Sequence, residues 1–161
     1  MELYHCLESG LDDVWLENGY VVETFDEYGE AVAICDERAL WRVLCRAIAH
    51  QDQPMTGQEL RFLRTILRFS QSGLGHRLGY RDGQIVAKWE KACHGAVPLF
   101  ADAIVRGFYL ESLGERPMLT ETIERLRRHA GERRDPLRRI LTWAPTGRWS
   151  LKEVSAEMAV A

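Results

Sequence analysis

The 161-residue chain lacks several features that would assign it to a class at once. No apolar run approaches the roughly 18 residues that a membrane-spanning helix needs. The acidic N-terminal stretch also lacks the basic and then apolar segments of a secretory leader. The sequence therefore predicts a cytoplasmic protein that makes no membrane contact. Its length leaves room for one domain and a small extension.

Paired cysteines are absent. The four cysteines are Cys6, Cys35, Cys45 and Cys93, and none of them forms a CxxC pair. Their spacings match no zinc-site pattern. We interpret them as the reduced thiols of a cytosolic protein, and we predict neither a metal nor a cofactor.

Catalytic signatures are missing as well. The glycine-containing stretch 80–84 does not follow the phosphate-loop pattern, and no GxSxG or HExxH motif occurs. No pair of carboxylates converges on a pocket that the sequence can identify. Because a nucleophile, a base and a metal site all lack candidates, we predict that the chain is not an enzyme.

Lysine and arginine are scarce in the first third of the chain. Residues 1–53 contain three of them against twelve Asp/Glu, a net charge of −9, whereas residues 54–113 and 114–161 each carry +3. Such an asymmetry favours a nucleic-acid-facing half, although ordinary solvated surface would give the same counts. The acidic segment could instead shield the basic one or bind a basic partner.

Strand-forming residues concentrate near the N-terminus. Residues 14–34 are rich in Val, Tyr, Thr, Phe and Ile and contain Asn-Gly and Tyr-Gly turn signals. They predict a small antiparallel hairpin or three short strands. Asp36 can cap a helix that runs to about Ala49, and from Thr56 onward the pattern indicates helices. Strands followed only by helices predict a mainly α fold with a small β appendage.

Four short helices are predicted between residues 54 and 113, and each has a start signal. The starting residues are Thr56 with Glu59 in a capping box, Ser70, Asp82 and Pro98. The third of these helices runs from Asp82 through Lys91. Together the four helices can bury one compact core.

The stretch from Thr56 to Ala92 carries a family resemblance. The signals that carry it are Ser70-Gln71, Leu74, the Leu78-Gly79 turn, Val86 and Trp89-Glu90. In that order they resemble the helix-turn-helix of the Xre (phage-repressor-like) family, and over residues 54–111 the C-terminal half of MqsA-type antitoxins. The resemblance implies a lambda-repressor-like helix-turn-helix bundle over 54–113. An acidic hairpin-plus-helix unit (1–53) would precede it, and a basic helical extension (114–161) would follow it.

Spacing and resemblance together select candidate DNA-binding residues. Gln84, Ala87, Lys88 and Lys91 share one face of the predicted third helix, opposite Val86 and Trp89. In a major groove, Gln can bond adenine and Lys can bond guanine or phosphate. Gln71 follows the cap of the second helix, where a phosphate contact is expected. The resemblance adds base contacts by Gln84 and Lys88. The full predicted set is Gln71, Ser72, Arg81, Gln84, Ala87, Lys88 and Lys91.

The chain departs from the family pattern in two ways. It has one extra residue between the second and third helices, which we place in the turn near Arg81. It also has glycines at Gly73, Gly75 and Gly83, each of which weakens a helix. Close approach of the second and third helices explains Gly75 but not Gly73.

Two functions are compatible with these residues. One is a sequence-specific, double-stranded-DNA-binding transcriptional regulator, a repressor that binds a two-fold operator as a homodimer through the helix 82–91. The other is an antitoxin whose acidic N-terminal unit binds a basic protein toxin and whose DNA binding regulates its own operon. The paired cysteines of the MqsA-type zinc domain are missing, so this alternative depends on fold analogy.

The arginines of the tail have two possible roles. They could extend the contact with the DNA backbone, or they could pair with the acidic N-terminal unit of the same or another chain. These residues are Arg127, Arg128, Arg133, Arg134, Arg138 and Arg139.

Overall fold

The computed structural model describes residues 2–132 and 137–155. The strands in this part of the chain are β1 (Tyr4–His5), β2 (Val14–Leu16), β3 (Tyr20–Phe25), β4 (Gly29–Ile34), β5 (Leu137–Ala144) and β6 (Arg148–Ser155). The helices are α1 (Glu37–His50), α2 (Gly57–Ile66), α3 (Gln71–Arg77), α4 (Gln84–Lys91), α5 (Leu99–Ser112) and α6 (Leu119–Arg128), with a short 3-10 helix at Leu7–Ser9. None of these helices is long and apolar enough to cross a membrane.

The predicted fold class is wrong. Instead of a mainly α helix-turn-helix bundle with a small β appendage, the described residues form a mixed α/β fold with six strands in two sheets. The difference arises mostly in the tail, which was expected to be helical over 114–161; among its described residues, 114–132 and 137–155, the helix is α6. From Leu137 the chain forms the β5–β6 hairpin, whose turn is closed by a hydrogen bond from the Gly147 amide to the Ala144 carbonyl (2.9 Å).

The chain divides into two compact units. The first contains the chain up to Leu44 together with β5 and β6, and the second runs from Cys45 through α6. The boundary therefore falls inside α1, and the units do not coincide with the segments 1–53, 54–113 and 114–161. The tail strands belong to the same unit as the N-terminus because they pair with it.

The first unit is organised by a four-stranded sheet in the order β1-β2-β5-β6. β2 and β5 are parallel, with Trp15 opposite Ile140, while the other two pairings are antiparallel. The Asn18 side chain extends the pairing: its Nδ2 donates to the Trp143 carbonyl (3.2 Å), and its Oδ1 accepts from the Trp143 amide (2.6 Å). An N-terminal and a C-terminal segment thus form one sheet.

Arg139 of the tail binds the acidic N-terminal segment of its own chain. The Arg139 side chain is fully buried and lies 3.0 Å from Asp13 Oδ2. A buried guanidinium needs such a carboxylate to offset its loss of water. The guanidinium of Arg138 lies over the Trp15 ring, 4.9 Å from its centre. Arg133 and Arg134 lie outside the described residues.

The second unit packs α2 to α6 around buried leucines and valines, among them Leu60, Leu63, Leu74 and Val86. The predicted capping box is confirmed: Thr56 Oγ1 accepts from the Glu59 amide, and Glu59 Oε2 accepts from the Thr56 amide. The predicted cap at Ser70 is confirmed as well, because its Oγ accepts from the Gly73 amide. Local capping chemistry therefore sets where α2 and α3 begin.

The reactivity of the four cysteines tests which parts of the fold are buried. Cys6 and Cys45 are buried, whereas Cys35 and Cys93 are exposed. Burial raises the pKa of the Cys6 and Cys45 thiols to about 12. Because the thiolate is the reactive form, we expect native protein near neutral pH to incorporate two iodoacetamide groups and denatured protein to incorporate four. Mass spectrometry counts the groups, and rapid native alkylation of Cys6 or Cys45 would contradict the fold.

Candidate nucleic-acid interface

Helices α3 and α4 are joined by a short loop over residues 78–83. Gly79, at φ +88°, follows the end of α3, and the Tyr80 amide donates to the Gly75 carbonyl (2.9 Å). Before α4, Asp82 Oδ1 accepts from the Gln84 amide (2.9 Å). Arg81, near which the departure from the Xre spacing was placed, lies in this loop.

Two glycines bring α3 and the start of α4 into backbone contact. A β-carbon built on Gly75 would lie 2.1 Å from the Asp82 carbonyl oxygen. One built on Gly83 would lie 2.5 Å from the Ser72 amide nitrogen and 3.0 Å from the Gln71 β-carbon. Neither position has room for a larger residue. The close approach expected at Gly75 is confirmed, and the role of Gly83 is one that sequence reasoning missed.

The C-terminal end of α4 is held by the start of α2. A β-carbon on Gly57 would lie 2.1 Å from the Trp89 carbonyl oxygen, and the Gln58 amide donates to the Cys93 carbonyl (3.0 Å). On its inner side, α4 buries Val86 completely, and the Trp89 ring meets the Tyr80 ring edge-on at 5.9 Å. The helix is therefore fixed at both ends and along one side.

A buried ion pair adds a further constraint. Arg64 Nε and Nη2 donate to the two carboxylate oxygens of Glu90, at 2.5 and 3.1 Å, with both side chains largely buried. Arg64 Nη1 also donates to the Phe69 carbonyl (2.7 Å). Glu90 Oε2 accepts in addition from Gln71 Nε2 (2.9 Å). Arg61 and Arg68, which recur with Arg64 at helical spacing, are exposed, whereas Arg64 turns inward to Glu90.

Most of the predicted DNA-binding residues lie at the surface. Gln71, Ser72 and Gln84 are exposed, and Gly83, which precedes Gln84, packs against Gln71 and Ser72 at the start of α3. Lys88 and Lys91 are exposed further along α4, whereas Ala87 is half-buried. Arg81 is exposed in the loop, and its carbonyl lies 2.8 Å from His76 Nε2.

The charge of this surface is positive. Arg81, Lys88 and Lys91 are exposed, and the exposed carboxylate among them is that of Asp82. Glu90 faces Arg64 instead of solvent. Arg77 lies beside this group, 4.2 Å over the Phe69 ring. A basic surface of this kind attracts phosphates.

Within residues 2–132 and 137–155 no group of three His, Cys, Asp or Glu side chains is placed to hold a metal ion. The polar side chains at α3, α4 and their loop include amides, cations, the shielded carboxylate of Glu90 and the exposed carboxylate of Asp82. Their chemistry is hydrogen bonding and ion pairing, which suits recognition.

No family model, no curated protein and no solved structure matches this chain.

Proposed function

We propose that this protein is a sequence-specific, double-stranded-DNA-binding transcriptional regulator that acts as a repressor in the cytoplasm. In this proposal α4 enters the major groove, and two chains bind the two half-sites of a two-fold operator. The resemblance of residues 54–111 to the Xre family supports it from the sequence. It stays a resemblance of residues and not of the whole fold.

The single observation that carries the proposal is the way α4 is held. Both ends and one side of the helix are fixed by Gly57, Gly83 and Val86, while Gln84, Lys88 and Lys91 remain exposed. These three residues, at i, i+4 and i+7, lie on one face. A fixed helix with an exposed row of amide and ammonium groups suits base reading, because the helix itself does not have to be ordered when the DNA binds.

Gln71 supports a phosphate contact beside that row. A carboxamide nitrogen carries two hydrogens, and the bond from Gln71 Nε2 to Glu90 uses one of them. The other is available to a phosphate oxygen. Arg64 holds Glu90, and Glu90 orients Gln71. We therefore assign Gln71 to a contact with the DNA phosphate backbone, which positions the protein on the duplex. We assign Gln84 and Lys88 to the reading of bases.

A homodimer follows from the small number of base-reading side chains in one copy. Each good base contact contributes about 1–3 kcal/mol of discrimination, so two or three of them do not select one site in a genome. Two half-sites related by two-fold symmetry double that discrimination.

The test is fluorescence anisotropy with the DNA just upstream of the protein's own gene, with scrambled DNA as control, at two salt concentrations. We expect the upstream DNA to bind about 1000-fold more tightly than the scrambled DNA, with two chains per duplex. Weak, equal and salt-sensitive binding of both duplexes would refute the proposal, since it would indicate only a basic surface.

Replacing Lys88 by alanine is expected to weaken binding to the upstream DNA by about 1–3 kcal/mol and to change binding to scrambled DNA much less. The reason is that a base contact contributes only on the correct sequence. The matched control is Lys152→Ala, which removes an exposed lysine from β6, far along the chain from α4. If the two variants bind the upstream DNA equally well, Lys88 does not read a base.

A further inference from the structure

The β3–β4 hairpin forms a sheet of its own. β3 and β4 pair with each other over six residues each, from Tyr20 opposite Ile34 to Phe25 opposite Gly29. Residues 21–31 are all exposed. A solitary two-stranded hairpin is at best marginally stable in water, and its free strand edges invite pairing with another chain. The base of this hairpin has support within its own unit, because the Tyr20 ring stacks on the Tyr4 ring at 4.8 Å. The exposed part over residues 21–31 is the part that gains from a partner.

One face of the hairpin is apolar and open to solvent. In an antiparallel pair, opposed residues share a face, which places Val21, Phe25, Ala31 and Ala33 together with Glu23. Val21 is 56% exposed and Phe25 46%. Tyr28, in the turn, is 86% exposed. Exposed apolar residues that cluster in this way mark a contact surface more often than scattered ones do.

The charge of the hairpin restricts what that contact is. Residues 20–34 contain four carboxylates, Glu23, Asp26, Glu27 and Glu30, and neither lysine nor arginine. Four unbalanced negative charges repel DNA and anionic membranes. They also repel the hairpin of a second copy, since like charges in one interface are costly. The complement is a cationic surface.

We propose that the β3–β4 hairpin docks on a partner protein through a surface that combines an apolar strip with flanking lysine or arginine side chains. The apolar strip covers Val21 and Phe25, and the cations pair with Glu23 on the same face and with Asp26 and Glu27 in the turn. A basic protein toxin, the partner that an antitoxin needs, belongs to this class. The proposal does not depend on DNA binding by α4.

The test uses three labelled ten-residue peptides as probes and fluorescence anisotropy as the readout. The first alternates lysine with valine, the second replaces every lysine by glutamate, and the third replaces every valine by serine. We expect the lysine–valine peptide to bind about tenfold more tightly than either of the others, because only it offers both apolar contact and positive charge.

Two kinds of variant locate the binding on the hairpin. The triple change Glu23→Gln, Asp26→Asn, Glu27→Gln is expected to weaken binding of the lysine–valine peptide about tenfold. The control triple Glu2→Gln, Glu111→Gln, Glu121→Gln removes the same charge from exposed sites elsewhere, and we expect it to bind like the wild type. Phe25→Thr, which keeps a strand-forming residue, should also weaken binding about tenfold. Amide NMR spectra check that each hairpin remains paired.

Three results would overturn the proposal. The first is equal binding by the two triple variants, which would indicate general attraction between opposite charges. The second is failure of the lysine–valine peptide to bind. The third is self-association of the wild-type chain in sedimentation velocity that Phe25→Thr abolishes, because the face would then belong to a second copy.

Discussion

Replacing Asp102 by alanine is expected to lower the free energy of unfolding by about 3–5 kcal/mol. Asp102 and Arg106 are almost completely buried, and Arg106 Nε donates to Asp102 Oδ1 at 2.6 Å. Removing the carboxylate leaves a guanidinium in the interior without its counter-charge. Urea denaturation followed by circular dichroism measures the loss.

The same pair anchors the chain between α1 and α2. Asp102 Oδ2 accepts from the Met55 amide (2.8 Å), while Arg106 donates to the carbonyls of Gln51 and Gln53. The variant thus removes the acceptor of the Met55 amide, and it leaves Arg106, which holds two carbonyls of the same segment, without its counter-charge. Loss of the Met55 bond adds to the effect of the unpaired charge.

An exposed ion pair supplies the control for this prediction. Arg46 and Glu115 are joined at 2.7 Å, but their side chains are 51% and 37% exposed. Glu115→Ala should therefore cost at most about 1 kcal/mol. If Asp102→Ala destabilises the protein no more than Glu115→Ala does, the buried network around residues 51–55 is not as described.

Replacing Gly75 by alanine is expected to destabilise the protein by about 1–3 kcal/mol. The added methyl group would meet the Asp82 carbonyl oxygen, which is backbone and cannot rotate away. The start of α4 must then move away from α3, and the helix loses its fixed position. We therefore also expect weaker binding to the upstream DNA. Thermal unfolding and anisotropy measure the two effects.

Gly107 provides the matched change. It lies inside α5, and a β-carbon there would have no neighbour within 4 Å. Gly107→Ala should stabilise the protein by up to about 1 kcal/mol, because alanine favours a helix interior. Equal stability of the two alanine variants would show that α3 and α4 are not in backbone contact.

The helical part of the candidate site could be predicted because its signals are local. The caps at Thr56 and Ser70 act on amides three residues away, and the apolar spacing of Leu60, Leu63 and Val86 indicates the faces that are buried. The exposure of Lys88 and Lys91 follows from the same periodicity. The spacing does not predict that the Arg64 side chain turns inward, because that depends on its ion pair with Glu90 in another helix.

The tail was misread although it carries a strand signal. Ile140, Thr142 and Trp143 are strand formers, and Pro145 to Gly147 is a turn sequence before a second such run. The dense arginines and the preceding helix suggested continued helix. The interactions that hold the tail as strands join residues far apart in the sequence. Thr142 donates to Glu17, 125 residues away, and Arg139 binds Asp13, 126 residues away.

Short stretches of sequence are enough to predict the local structure: where α2 and α3 begin, the hairpin near the N-terminus, and the basic face of α4. Caps, turns and periodicity act within a few residues, so a short window contains their whole cause. Contacts between distant segments account for the sheet between the tail and the N-terminus, the inward direction of Arg64 and the close helix contact at Gly83. Each of these features depends on contacts that bury side chains between segments far apart in the chain. The free energy of such contacts cannot be predicted from either segment alone.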